Sequence, residues 1–265
     1  MTARTRSAAP GRARVSRPLN FLFRVFFTFL LRYRRTALGP IWALIGPIVF
    51  VGTLGFLYSH IGNRPPTEFL PHIAVGFVTW NLIQSMITGA GSVFHRGRAN
   101  ILQGQLPLDD LVMLEVMTNV VTFLHQCLVI VGVFIIFGTP FTWYSLLSLV
   151  GVALIIINGI WVVRLIGLVS ARYRDLAEVL PAVMRVVFLA TPIIWMQDRG
   201  ARGSFISAFL TYNPFYHFLE LVRSPLLGHP IEPITWIVTI SITVLGFVIE
   251  GFVTARYARY VPLWV

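Results

Sequence analysis

The chain has 265 residues, of which 56% are hydrophobic and 12% charged, and its mean hydropathy is +0.78. This balance excludes an ordinary water-soluble domain, because such a domain needs far more polar surface. The net charge is +11, and all 21 basic residues are arginine. Since a P-loop requires a lysine to reach the nucleotide phosphates, the chain cannot hold a conventional ATP site.

The first 18 residues form a tail rich in Arg, Ser and Ala and without acidic residues. Such a composition is typical of disorder, although a mitochondrial transit peptide looks similar. The following segment, 19–35, predicts an amphipathic helix, because Asn20, Arg24, Thr28 and Arg32 recur at every fourth position. We expect this helix to lie in the membrane interface, the alternative being an incomplete first span. The arginines expected to meet lipid head groups are Arg24, Arg32, Arg34 and Arg35.

Six apolar segments are long enough to cross about 30 Å of hydrocarbon. They are 38–59, 69–93, 111–137, 143–170, 176–196 and 234–254. Arginines are concentrated in the tail and in the loops on the side of both termini, which places the termini in the cytoplasm. The sequence therefore predicts an all-α integral membrane protein whose residues 19–265 form one transmembrane domain of six helices.

The inner loop 94–110, between the second and third spans, predicts either a docking helix for a cytoplasmic partner or a plain connection. Its candidate docking residues are Arg98, Asn100, Ile101, Leu102, Gln103 and Gln105. Asp109 and Asp110 follow at the start of the third span. An adjacent acid pair could hold Mg²⁺, but at this position an N-cap and helix-dipole role fits better.

The long outer segment 197–233 precedes the last span. Within it, Asn213 and Pro214 have the residue types of an N-cap and a first helical position. The helix that begins there would be amphipathic, with an apolar face on one side and, on the other, a polar face that includes His217. We expect this helix to rest at the outer membrane surface or to cover an exit, since both use the same pattern. The predicted outer gate residues are Asn213, Pro214, Phe215, Tyr216, Glu220 and Arg223.

Four ionisable residues fall inside predicted spans, where a charge is costly and therefore informative. They are Glu115, Arg164, Arg185 and Glu250. Arg164 with Glu250, or Arg185 with Glu115, would form a structural charge layer near the cytoplasmic edge. A proton-driven carrier would instead use the acids as relays.

Aromatic residues make up 14% of the chain. Their rings can stack against sugar rings while their polar edges donate hydrogen bonds, so they are candidates to line a conduit. For any single member, membrane-interface or core packing is the more ordinary explanation. The candidates are Trp42, Phe56, Tyr58, Trp80, Trp161 and Trp195.

Short segments spread along the chain after the tail match one family in residues and in order. They are 32–42 (RYRRTALGPIW), 106–108 (LPL), His125, 171–175 (ARYRD), 191–195 (TPIIW), 213–216 (NPFY) and 223–228 (RSPLLG). Together they resemble the permease subunits of ABC-type polysaccharide exporters, of the O-antigen and teichoic-acid kind. The arginine-rich tail and a coupling loop with few basic residues depart from that pattern, which leaves the substrate class open.

The resemblance implies a homodimer of permeases that works with two ATP-binding cassette subunits in a bacterial cytoplasmic (inner) membrane. ATP and Mg²⁺ would bind to those partners, and this chain would hold no cofactor. The expected cargo is an O-antigen-like glycan on a polyprenyl diphosphate. A coupling helix would follow the second span, and gate helices would precede the last. The alternative functions are a proton-coupled carrier and a polyprenyl-phosphate-dependent glycosyltransferase. A nucleic-acid partner is not expected, because the arginines lie beside apolar segments.

Overall fold

The structure of the protein is a computed structural model that describes residues 17–34, 38–61, 65–196 and 211–265. Within these ranges every regular element is helical. The helices are α1 (Arg17–Tyr33), α2 (Trp42–Ile61), α3 (Pro66–Ala90), α4 (Val93–Arg96), α5 (Arg98–Leu102), α6 (Leu108–Phe137), α7 (Leu147–Arg172), α8 (Leu176–Ala190), α9 (Pro214–Leu226), α10 (Pro233–Tyr257) and α11 (Val261–Trp264). Short 3₁₀ turns lead into α2, α7 and α11.

In the described ranges, five helical stretches are long and apolar enough to cross a membrane. They are Gly39–Leu57, Pro66–Ala90, Leu108–Phe137, Trp143–Arg172 and Pro233–Trp264. The all-helical membrane fold is thus confirmed. The predicted span 176–196 is shorter than expected: α8 ends at Ala190, and its 15 residues reach only about 22 Å. The sixth crossing therefore stays a prediction.

Helix α3 lies at the centre of the bundle. Of its membrane-length window 61% is buried, against 17–33% for the other four candidate spans. It packs against α2, α6, α7, α8 and α9. Because a helix enclosed by protein does not need an apolar surface all round, α3 is the span that best tolerates polar side chains.

The two ends of the bundle are defined by its short helices. We call the end with α4 and α5 the inner end, and the opposite end, with α9, the outer end. Helices α7 and α10 run parallel from outer to inner end, as shown by the hydrogen bond of 2.8 Å between Asn158 and Thr243 and the ion pair of 2.9 Å between Arg164 and Glu250. At the inner end α11 turns back to contact α5 and α7, and its Val261 is buried.

Helix α1 occupies most of the segment predicted to be an interface helix. Val25 and Phe29 are buried, and α1 packs on α6, where the Phe29 ring lies 6.1 Å from that of His125. Leu22, Phe23 and Phe26 point outward. The helix is therefore held along one stripe by α6, while its orientation in a membrane stays a prediction.

A close approach of α7 and α9 provides a test of this packing. An added Cβ at Gly151 would lie 2.6 Å from the backbone oxygen of Leu221, so Gly151→Ala must push two backbones apart. We expect it to lower the free energy of unfolding by about 1–3 kcal/mol, the usual cost of overpacking. The measurement is thermal unfolding in detergent. Gly132→Ala is the matched control, because its Cβ would meet nothing within 4 Å, and an equal loss in both variants would contradict the packing.

Candidate functional site

A polar cleft between α3 and α6 is the candidate functional site. Its volume is about 230 Å³. The polar side chains that line it are Asn81, Gln84, Ser85 and Thr88 of α3 and Asn119, Thr122 and Gln126 of α6. Uncharged amides and hydroxyls of α3 thus face those of α6 across the cleft. Both helices are long enough to span a membrane.

The cleft arises from the spacing of these residues. On α3 they lie at positions i, i+3, i+4 and i+7, and on α6 at i, i+3 and i+7, which places each set on one helix face. The sequence-based site predictions did not include them, because those predictions rested on charges and aromatic rings. Uncharged polar residues at helical spacing are the signal that marks both stripes.

The cleft offers both donors and acceptors of hydrogen bonds. Its hydroxyls donate to carbonyls of their own helix, which leaves their oxygens able to accept. These bonds are 3.1 Å long for Ser85, 2.9 Å for Thr88 and 3.0 Å for Thr122. Gln84 accepts from the Trp80 indole at 2.6 Å and keeps two N–H donors, while Asn81 has no side-chain hydrogen bond to any residue that the structure describes. A polyhydroxylated ligand could therefore bond to the cleft walls.

An apolar groove adjoins the cleft. Its volume is about 850 Å³, and α2 supplies most of its lining, including Trp42, Pro47 and Phe50. Asn81 and Gln126 line both cavities. The polar cleft and the apolar groove thus adjoin at these two residues, an arrangement that suits a molecule with one polar and one apolar part.

The aromatic residues predicted to line a conduit have different surroundings. Trp42 lines the groove with 49% of its surface exposed, Phe56 is exposed, and Trp195 is half-buried in the turn after α8. The side chain of Tyr58 lies outside the described part of the chain.

Two of the conduit candidates pack between helices; burial contradicts the prediction for Trp80, and the prediction for the half-buried Trp161 stays untested. The Trp80 side chain is fully buried against the rings of Phe188 and Phe215, so it cannot contact a ligand. Trp161 packs directly over Gly246 of α10 and donates to Asn158 at 2.8 Å. Both rings fill gaps between helices, which is the ordinary role of a large aromatic side chain.

The predicted docking loop forms α4, α5 and a turn at the inner end. Ile101 packs against the hydrophobic core and Asn100 is half-buried. The other candidate residues are exposed: Arg98, Leu102, Gln103 and Gln105. Gly104 allows the turn, because its φ of +62° is unfavourable for other residues. We call residues 93–105 the coupling segment; its docking role stays a prediction.

Ion pairs surround the coupling segment. Arg96 of α4 lies 2.6 Å from Glu115 of α6. Asp109, in the first turn of α6, lies 2.7 Å from Arg164, which also contacts Glu250. The predicted pair of Arg164 with Glu250 is therefore formed.

Two sequence-based predictions fail at this end. Arg185 does not pair with Glu115. The Arg185 side chain is exposed on α8, and the Glu115 carboxylate forms its ion pair with Arg96. Asp109 does not cap α6, because Pro107 occupies the N-cap position and Asp109 contacts Arg164; both acids do lie in the first turn of α6, as the predicted helix-dipole role requires. Neither partner could be found from spacing along one helix, since both contacts join different helices.

Helix α9, in the predicted gate region, begins as expected. The Asn213 side chain accepts from the backbone N–H of Phe215 at 3.0 Å, which confirms the N-cap. The polar face is not at a surface, however. His217 and Arg223 are buried, because α9 is inserted against α3, α7 and α10. The polar face of α9 is therefore enclosed by protein, and the position of this helix relative to the membrane surface stays a prediction.

Arg223 is the centre of a buried network at the outer end. It is 3% exposed, and its Nη1 lies 2.6 Å from the Pro192 carbonyl and 3.0 Å from Nε2 of His72. Its Nε donates to Glu220 at 2.9 Å, and Glu220 also accepts from Ser224. The network ties α9 to α3 and to the turn after α8. Of the other predicted gate residues, Pro214 is exposed, and Phe215 and Tyr216 are half-buried.

The arginines predicted to meet lipid are only partly described. Arg24 and Arg34 are exposed. The side chain of Arg32 and the whole of Arg35 lie outside the described residues. Their lipid contacts stay predictions.

Long apolar helices around an internal polar cleft define a multi-pass membrane protein of the transporter class. Residues 21–227 match the ABC-2 type transporter family, and the chain belongs to that family. It is also similar to the O-antigen export system permease protein RfbA of Myxococcus xanthus, with 21% identity over 221 residues, or 81% of this chain and 84% of that protein. The resemblance to type-2 ABC exporter permeases is thereby confirmed.

Water access to the cleft can be measured with cysteine reagents. In a Cys127→Ala background, Ser85→Cys should react with a membrane-impermeant maleimide, because the cleft is polar and a thiolate forms only where water reaches it. Ile135→Cys on α6 is the control, since this position is exposed on an apolar helix surface that faces lipid in a membrane. Equal labelling of both positions would contradict a hydrated cleft.

The Arg223 network should contribute strongly to stability. Arg223→Gln removes a buried cation that bonds to Glu220, to His72 and to the Pro192 carbonyl, so we expect a loss of about 3–5 kcal/mol in the free energy of unfolding. Chemical denaturation in detergent measures it. Arg185→Gln removes the same charge from an exposed position and should change little; a similar small effect for Arg223→Gln would show that the network is not stabilising.

Proposed function

We propose that this chain is the membrane-spanning permease subunit of an ATP-driven exporter that moves a lipid-linked polysaccharide across the bacterial cytoplasmic membrane. The observation that carries the proposal is the polar cleft beside an apolar groove within a chain of the ABC-2 type transporter family. Such a pair of cavities matches a substrate with a sugar part and a lipid part. By analogy with its Myxococcus relative, we propose an O-antigen-like glycan as the cargo and a role in lipopolysaccharide biosynthesis.

The chemistry of the two cavities supports this substrate. Sugar hydroxyls donate and accept hydrogen bonds, as do the amides of Asn81 and Gln84 that face the cleft. A polyprenyl chain is apolar and fits beside α2, where Trp42 and Phe50 line the groove. The groove is open along α2, and we place a second copy of the chain there, so that two copies enclose one conduit.

ATP would be hydrolysed by partners. The chain has no lysine for a P-loop, and permeases of this family associate with ATP-binding cassette subunits. We propose two such subunits, which bind ATP and Mg²⁺ and dock on the exposed edge of the coupling segment, while this chain binds no cofactor. Arg98, Leu102 and Gln103 lie on that edge.

The proposed orientation of the chain in the membrane rests on the distribution of its arginines. We place both termini and the coupling segment in the cytoplasm, with the arginine-rich tail and Arg24, Arg32, Arg34 and Arg35 near anionic lipids. Helix α9, with Asn213 and Glu220, then lies at the outer side as part of a gate.

The charge contacts favour a permease over the alternatives. A proton relay needs acids that can exchange protons, whereas Glu115 and Glu250 each contact an arginine. A glycosyltransferase needs a catalytic acid, and the best candidate, Asp109, contacts Arg164. These contacts support structural roles for all three acids.

The test is reconstitution. The purified chain, combined with the ATPase encoded beside its gene, should export a polyprenyl-diphosphate-linked glycan from proteoliposomes only when ATP is hydrolysed. Export that continues with a non-hydrolysable ATP analogue, or that follows a proton gradient alone, would overturn the proposal.

The cleft makes a quantitative prediction for the same assay. Asn81→Leu should reduce the export rate roughly fivefold, the equivalent of one hydrogen bond of about 1 kcal/mol. Asn81→Gln keeps the amide and should retain most of the activity. If both variants export like the parent, the cleft does not contact the glycan.

A further inference from the structure

We propose that Arg96, Glu115 and Asn119 form a relay that transmits movement of the coupling segment to the wall of the polar cleft. The inference rests on the proposed function, since it assumes that an ATPase moves the coupling segment. It adds three positioning residues: Arg96 in the coupling segment, Asn119 in the wall of the cleft, and Glu115 between them.

The relay begins at the exposed end of the coupling segment. Arg96 is the last residue of α4 and directly precedes the turn into α5. Its side chain is 53% exposed, yet its Nη2 lies 2.6 Å from Oε2 of Glu115 and 3.1 Å from the Gly89 carbonyl at the end of α3. One guanidinium thus joins the coupling segment to both helices that form the cleft.

Glu115 carries the contact into the bundle. Only 12% of its side chain is exposed. While Oε2 contacts Arg96, Oε1 accepts from Nδ2 of Asn119 at 3.1 Å. The two oxygens of one carboxylate therefore contact the coupling segment on one side and the next turn of α6 on the other.

Asn119 is the point at which the relay meets the cleft. It is buried among the helices and lines the cleft opposite Ser85 and its neighbours on α3. Its Nδ2 also donates to the Glu115 backbone carbonyl at 2.9 Å, so the amide orientation is fixed by Glu115 twice. A displacement of the carboxylate must change the position of the Asn119 amide or break one of these bonds.

The surroundings of Glu115 restrict how it can respond. A Cβ at Gly89 would overlap Oε1 of Glu115, which means that the carboxylate lies directly against the α3 backbone. It has no space to swing toward α3. In addition, the Arg96 guanidinium bonds both to Glu115 and to the Gly89 carbonyl, so it is held at two points and we expect it to carry Glu115 with it when α4 moves. A push on α4 is thereby delivered to α6 rather than absorbed by a side-chain rotation.

The second ion-pair group at the inner end provides a matched comparison. Arg164 contacts Asp109 and Glu250, and Thr254 donates to Glu250 at 2.8 Å. This group has the same chemistry and lies at the same end of the bundle, but none of its members lines the cleft. Glu250→Gln is therefore a control for the loss of a buried carboxylate without interruption of the relay.

The experiment uses the full complex with its ATPase, in proteoliposomes, with Ser85→Cys as reporter in a Cys127→Ala background. In the parent complex, the rate of maleimide labelling should change when ATP is added. Glu115→Gln and Asn119→Leu should abolish this ATP-dependent change while ATP hydrolysis continues, and Glu250→Gln should retain it. ATP-dependent labelling that persists in both relay variants would overturn the proposal.

Two further measurements keep the outcome unambiguous. Should Glu115→Gln fail to assemble, Arg96→Gln interrupts the same relay at its exposed end, where the fold depends less on the side chain. Arg96→Lys keeps a cation and should retain the response.

Glycan export by the parent is measured in the same vesicles. If the labelling responds to ATP but no glycan is exported, the proposed cargo is wrong and the relay stands. If export proceeds and every relay variant responds like the parent, the relay is wrong and the proposed function stands.

Discussion

The cost of placing polar groups in hydrocarbon is the constraint on which this structure depends. Charges are kept near the ends of the bundle, where they are paired: Arg96 with Glu115 and Arg164 with Glu250 at the inner end, and Arg223 with Glu220 at the outer end. Between these ends the polar side chains of the cleft are uncharged. Hydroxyls and amides can satisfy part of their hydrogen-bonding capacity within their own helix and still meet a ligand, which a lone charge in the same place could not do.

The central helix α3 contacts the charged groups at both ends of the bundle and also lines the cleft. Near its outer end His72 contacts Arg223, at its inner end the Gly89 carbonyl accepts from Arg96, and between them its polar stripe lines the cleft. A single, largely buried helix therefore contacts the predicted gate region, the polar cleft and the coupling segment. In an exporter, a rigid element of this kind would connect events at the two membrane faces without a long chain of intermediate residues.

The two adjoining cavities also bear on how an amphiphilic cargo would travel. A glycan needs polar walls, whereas its lipid carrier needs contact with an apolar phase, and no single uniform channel serves both. The groove along α2 lies beside the cleft and shares Asn81 and Gln126 with it. Sugar and lipid could thus remain attached to each other while each stays in a suitable environment.

The amino-acid sequence by itself determined the features that depend on local or additive properties. Hydropathy located five long spans to within about one helical turn, and the Asn213-Pro214 pair marked the start of α9, because span length and capping are decided by neighbouring residues. The absence of lysine likewise excludes a conventional P-loop on composition alone, since no folding of the chain can supply the missing side chain.

Only the tertiary structure decided the features that depend on how helices are rotated against each other. It paired Glu115 with Arg96 rather than Arg185, buried Trp80 and enclosed the polar face of α9, although the sequence pattern of α9 is that of a surface helix. The cleft itself exists because two polar stripes, from α3 and α6, meet at one interface. Spacing along a chain shows which residues share a helix face, but the partner of that face is set by packing between segments far apart in sequence.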